Sequence, residues 1–192
     1  LMNSDESKAM KLLDEHDKIA ENCFKDYNGR LIKKIGDADF VEFSSALDAV
    51  NCAINLQDVL RQRNSSCENT FDEIHVRIGI HVGDIVLRDG DVLGDDVNIA
   101  SRIEPFSAVG GISISGKIQQ NISSLPEFET TYVGTPKLKG VSQEVKVYCI
   151  TSHGLPETDV SKVSAKLEEK SKFNIFTLTG GILTAIGIAF WI

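Results

Sequence analysis

Residues 76–103, VRIGIHVGDIVLRDGDVLGDDVNIASRI, open with an alternating run. Val76, Ile78, Ile80 and Val82 fall on one face of a strand, and Arg77, Gly79, His81 and Gly83 on the other. A glycine-lined face behind an apolar one predicts close approach by a backbone or a ligand. Beyond Asp84 the pattern predicts a short strand over 85–87 and a turn at Asp89-Gly90, then Asp91. A helix follows from Asp95/Asp96, with Val97, Ala100 and Ile103 as its apolar positions. Asn98 and Arg102 stand four residues apart and so share one helix face. An amide and a guanidinium beyond an acidic turn make an anion-binding or nucleotide-binding edge. Equally, Arg102 could pair with a nearby carboxylate while Asn98 caps a turn, and the residue types leave both open.

Working outward, residues 4–27 predict a helix whose stripe is Ala9, Leu12, Leu13, His16, Ile19, Ala20, Cys23 and Phe24. His16 reads as a satisfied core or boundary histidine, and Asn28-Gly29 ends the helix. Two strands over 30–35 and 38–43 join at Gly36-Asp37, with Lys33 and Lys34 on opposite sides of the first. A carboxylate at such a hairpin tip is either a solvated turn residue or a metal ligand on rigid backbone. A helix over 46–63 carries Ser45 and Asp48 as a capping box. A strand over 111–115, a helix over 116–122, and paired strands over 128–138 and 145–150 follow, with Lys139-Gly140 at the last turn. That order of elements is α+β with the strands gathered in one sheet.

The chain has 192 residues with 20 basic and 28 acidic side chains, a formal charge of -8, which argues against a nucleic-acid partner. Cys23, Cys52, Cys67 and Cys149 form no CxxC pair, so a reduced chain is expected rather than a disulfide scaffold or a zinc site. Residues 173–192, FNIFTLTGGILTAIGIAFWI, are an uncharged run of the length that spans a bilayer, a buried core helix being the alternative that its flat hydrophobicity and terminal position disfavour. Lys162, Lys166, Lys170 and Lys172 precede it and by charge bias keep the upstream domain cytoplasmic. The expected organisation is a domain over 1–151, a juxtamembrane linker over 152–172 and a transmembrane helix over 173–192, placing the protein in the inner or plasma membrane.

The segments LIKKIGDADFVEF and RIGIHVGDIVLRDGDVLGDDVNIASRIE resemble the catalytic domain of class III nucleotidyl cyclases. The first matches that family's K-x-x-G-D hairpin. The second matches its R-x-G-I-H-x-G strand followed by D-x-x-G-x-x-V-N-x-A-x-R, and the likeness covers roughly residues 5–150. It implies a ferredoxin-like α+β fold with a mainly antiparallel sheet. It also implies an adenylate cyclase that turns ATP into 3′,5′-cyclic AMP and pyrophosphate with two Mg2+ or Mn2+ ions per active site. By the same resemblance Asp37 is a metal ligand, the second of the family's two metal aspartates, and Lys33 and Asp91 read the purine edge. An ammonium donor and a carboxylate acceptor suit adenine, whereas guanylate cyclases usually carry Glu and a small polar residue there. Asn98 orients the ribose, Arg102 stabilises charge on the α-phosphate, and Lys139 contacts the β- and γ-phosphates. The family's head-to-tail assembly implies a homodimer with shared sites. Its first metal aspartate lies on a strand before the opening helix, so the chain from Leu1 reads as truncated and inactive alone. A guanylate cyclase and a non-catalytic nucleotide-binding signalling module are the alternatives.

Overall fold

In a computed structural model the described residues are 2–83, 86–88, 91–93, 95–159 and 186–191. The opening apolar stripe forms helix α1 (Met2–Asp26), which buries His16, Ala20, Cys23 and Phe24. It stops where Asn28 takes a positive φ of 58° and the Gly29 N–H donates to the Phe24 carbonyl at 2.7 Å. Strands β1 (Arg30–Ile35) and β2 (Ala38–Glu42) then pair antiparallel. Their turn needs Gly36, whose φ of +62° is cheap only without a Cβ. Helix α2 (Ala46–Asn64) starts with Ser45 Oγ accepting from the Asp48 N–H at 3.4 Å, the predicted cap. Next come β3 (Val76–His81), the hairpin of β4 (Val86–Arg88) with β5 (Asp91–Leu93), and α3 (Asp95–Ile103). The remaining elements are β6 (Ile112–Ser115), α4 (Gly116–Ile122), β7 (Thr130–Gly134), β8 (Val147–Ile150) and β9 (Ile186–Trp191).

The main sheet runs β1-β2-β9-β3-β6-β8-β7. Its pairings among the described residues are three antiparallel and three parallel, and the separate β4–β5 hairpin adds a fourth antiparallel pairing, so the α+β reading holds with antiparallel pairings the more numerous. Alternation along the strands divides the apolar residues between two faces. Val41, Ile78, Ile80, Ile112 and Ile114 meet α1, α2 and α4 in the larger core. On the other face α3 sets Ile99 and Ile103 against Val133, Leu138, Val147 and Cys149. Cys23, Cys52, Cys67 and Cys149 are all free thiols.

The membrane helix expected over 173–192 is unsupported, and at 186–191 the fold replaces it with a strand. Residues 173–185 and 192 lie outside the described residues, but Ile186–Trp191 is β9, inserted between β2 and β3 and parallel to both. Its register sets Ile188 against Asp39 and Ile78, and Phe190 against Val41 and Ile80. Among the described residues no helix is long and apolar enough to cross a membrane. The confusion has a physical cause. A strand with a neighbour on both sides, as here, reads as an unbroken apolar run, the same signal that a lipid-facing helix gives. The β-branched and aromatic content of IGIAFW favours the strand. Residues 152–159 stay against the domain, since Arg61 Nη1 donates to the Gly154 carbonyl at 2.8 Å and Thr158 Oγ1 accepts from the Ala108 N–H at 3.1 Å. The rest of the expected linker, 160–172, lies outside the described residues.

Candidate active site

The bare face of β3 seats α3. A Cβ on Gly79 would collide with the carbonyl oxygen of Ala100, and one on Gly83 with the side chain of Asp96. The close approach is therefore by a helix backbone, one of the two possibilities a glycine-lined face leaves open. Polar contacts fix both ends of the helix. At its start His81 Nε2 lies 3.3 Å from Asp96 Oδ1, which also accepts from Gln143 Nε2 at 2.8 Å. Just past its end Arg77 Nη1 lies 3.7 Å from Glu104 Oε1. Burial pushes the His81 imidazole below its ordinary pKa, only partly offset by Asp96, so the ring is neutral.

This seating presents Asn98 and Arg102. Asn98 is exposed and its side chain caps nothing among the described residues. Arg102 is half-buried, forms no ion pair among the described residues, and leaves its buried Nε without a hydrogen-bond partner there. A Cβ on Gly140 would lie 3.9 Å from Arg102 Nη2, so the guanidinium stands beside the Lys139-Gly140 turn. Of the two readings the residue types allowed, an internally paired Arg102 is not found among the described residues. A cation beside a lysine-bearing turn, with donors still to satisfy, is suited to a phosphate.

The β1–β2 hairpin supplies the other candidates. Lys34 Nζ lies 2.6 Å from Asp17 Oδ2 and so faces α1, which turns the neighbouring half-buried Lys33 to the face that carries α3. Asp37 is exposed at the hairpin tip. Asp91 opens β5 opposite Arg88, in the hairpin that leads into α3. The fold thus brings Arg102 and the Lys139 turn together and puts Lys33 on their side of the sheet.

The metal set is a different matter. The one His/Cys/Asp/Glu group with ligand spacing among the described residues is His16, Asp17 and Asp39, and Asp37 does not belong to it. The strand next to the hairpin, β9, has no carboxylate in IGIAFW. The described residues therefore offer Asp37 but not the pair of aspartates that the resemblance implies. His16 is only in part the satisfied core or boundary histidine that its position in the stripe suggested, its Nδ1 lying 3.2 Å from Asp17 Oδ1. It is fully buried and its Nε2 has no partner among the described residues. The signal missed in the sequence was Asp39, a carboxylate that alternates with Val41 in β2 and with Phe43 just beyond it, all three buried.

The model of the adenylate and guanylate cyclase catalytic domain matches residues 2–152. A Rhizobium meliloti (strain 1021) protein named "Putative adenylate cyclase 3" is 33% identical over 149 residues, 77% of this chain but 25% of its own length. The chain therefore spans about a quarter of that curated relative. The crystal structure titled adenylate/guanylate cyclase/hydrolase from Silicibacter pomeroyi superposes with a TM-score of 0.63 at 29% identity, covering 82% of this chain and 86% of that one. The adenylyl cyclase CyaB from P. aeruginosa shares the fold with a TM-score of 0.60 at 24% identity, over 74% of this chain and 82% of its own. With the glycine-seated helix, the lysine-bearing hairpin and a matching model that spans both, this chain belongs to the adenylate and guanylate cyclase catalytic domain family.

Proposed function

We propose that the chain is the catalytic domain of an adenylate cyclase, converting ATP to 3′,5′-cyclic AMP and pyrophosphate at sites shared between two copies. The observation that carries this reading is the grouping of Arg102 with the Lys139-Gly140 turn on the α3 side of the sheet, the side to which Lys33 is turned. In the reaction the ribose 3′-oxygen bonds to the α-phosphorus while the bond to the pyrophosphate oxygen breaks. Arg102 meets the charge that grows on the α-phosphate oxygens, and Lys139 holds the β- and γ-phosphates that leave. A preorganised donor of this kind contributes on the order of 3 kcal/mol, roughly a hundredfold to a thousandfold in rate. Asn98 orients the ribose. Lys33 donates to a ring nitrogen of adenine and Asp91 accepts from its 6-amino group. A magnesium or manganese ion with Asp37 among its ligands would supply further charge neutralisation and lower the pKa of the attacking hydroxyl. ATP as substrate places the domain on the cytoplasmic side.

One observation favours a second reading, a nucleotide-binding module without turnover: β9 stands beside the hairpin of Asp37 and brings no carboxylate. Turnover of ATP and of GTP with Mn2+, measured beside equilibrium binding of each nucleotide, separates the readings. Cyclic AMP as the main product supports the cyclase, and binding without product supports the module. The pair Lys33→Glu with Asp91→Cys should shift the preference from ATP towards GTP, because a mismatched base leaves buried donors and acceptors unpaired. A wild-type protein that prefers GTP overturns the adenine assignment.

A further inference from the structure

A second polar cluster lies on the opposite face of the sheet from α3, between α1 and the β1–β2 hairpin. His16 is 0% and Asp39 2% exposed, one from the inward stripe of α1 and the other from an inward position of β2. Asp17 adjoins them with its side chain 29% exposed. One ligand atom from each of the three lies within 4.8 Å of the others. His16 Nε2 and Asp39 Oδ2 have no hydrogen-bond partner among the described residues. Leaving polar atoms buried and unpaired is costly, and a core position for a carboxylate needs a reason.

Lys34 answers only part of that need. Its ammonium lies 2.6 Å from Asp17 Oδ2 and 3.7 Å from Asp39 Oδ1, which leaves the far oxygen of Asp39 unsatisfied. The side chain is 33% exposed and reaches the cluster from the rim, on a flexible stem that can turn out to solvent. A divalent ion would satisfy imidazole and carboxylates together. One imidazole with two carboxylates suits zinc and its neighbours, whereas magnesium and calcium prefer oxygen alone.

We propose that His16, Asp17 and Asp39 bind one divalent ion of the zinc class, the Lys34 ammonium moving out to solvent as the ion enters. The site is separate from Asp37, which is not one of its three ligands, and it lies on the Lys34 side of β1, whereas strand alternation turns Lys33 to the opposite face. The bound ion ties α1 to the hairpin, and because the unfolded chain cannot assemble the three ligands, occupancy stabilises the fold.

Cobalt(II), titrated into the whole chain and followed by its visible absorption, tests the assignment. One equivalent should bind and raise the thermal midpoint. Asp17→Asn, at the half-exposed ligand and therefore able to fold, should weaken binding about tenfold or more, the scale on which ligand-set changes act. His16→Gln should remove the band. Lys34→Met should tighten binding several-fold by deleting the competing cation, and Asp37→Asn should leave the band in place. The proposal is overturned by no saturable binding up to about 1 mM, the weakest affinity worth the name of a site. A band insensitive to Asp17→Asn, or one lost in Asp37→Asn, overturns it as well. Failure of Lys34→Met to tighten binding refutes the displacement of Lys34.

Discussion

At the scale of single residues, two glycines do different work. Position 79 has no room for a side chain, because a Cβ would meet the Ala100 backbone, whereas position 36 is open but held at φ +62°. Gly79→Ala must push α3 off β3, an overpacking cost of about 1–3 kcal/mol, and it displaces Asn98 and Arg102 with the helix. Gly36→Ala pays only for the left-handed backbone, about 1–2 kcal/mol, and leaves α3 alone. Urea unfolding and nucleotide binding should both suffer in the first variant, and stability alone in the second; equal loss of nucleotide binding in the two contradicts this account of α3. His81 gives a pH signature. Its pKa is lowered by burial and by the nearby Lys117, against the raising effect of Asp96, so the unfolded chain takes up the proton first as pH falls. The stability due to its neutral form is present above about pH 6.5 and is lost progressively below it, down to the folded pKa. Asp39 runs the other way, because burial raises its pKa and its contribution falls as pH rises through the acid range. His81→Gln should therefore flatten the decline in unfolding free energy just below pH 6.5, and an unchanged slope removes His81 as its source.

At the scale of elements, β9 carries the sharpest expectation. A strand with a hydrogen-bonded neighbour on each side should protect its amides nearly as well as β3 does, since opening it opens the sheet. Hydrogen exchange read over 186–191 should match that of Val76–His81, and fast exchange there would be incompatible with β9 as a central strand. The same element shows where sequence reading stops. The periods of α1, α2 and β3, the Gly36-Asp37 turn and the Ser45 cap were all legible, because each is a local pattern that the backbone obeys directly. The partner of an apolar run is not local. Within FNIFTLTGGILTAIGIAFWI the segment IGIAFW satisfies lipid and a sheet interior alike, and only the place between β2 and β3 distinguishes them. At the candidate site the motif spacing placed Asn98 and Arg102 on one helix face, yet that Arg102 has no carboxylate partner among the described residues needed three dimensions. The alternation of Asp39 with Val41 and Phe43 was a signal passed over, and its meeting with His16 depends on how α1 crosses the hairpin.

At the scale of the whole molecule, the proposed function puts each site between two copies of the chain. Asp37 sits at the tip of the β1–β2 hairpin, at one edge of the sheet, while α3 lies over β3, β6 and β9. Lys33, Asp91, Asn98, Arg102 and Lys139 are proposed for the nucleotide, and Asp37 for the ion that meets the same phosphates. In a head-to-tail pair one copy's Asp37 serves the nucleotide held by the other copy's Arg102, and two-fold symmetry makes two such sites. Asp37→Ala and Arg102→Ala then damage opposite halves of each site. Each homodimer has two broken sites, but a mixed dimer has one site with both defects and one with neither. Expressed separately in the full-length protein, each variant should lose about a hundredfold or more in turnover, the scale of a lost charge-stabilising group. Mixed in equal amounts and allowed to exchange, half the dimers are heterodimers with one intact site, so activity should return to about a quarter of the wild-type value for equal pairing affinities. A mixture as inactive as its parents, with subunit exchange shown independently, would mean that Asp37 and Arg102 act within one chain.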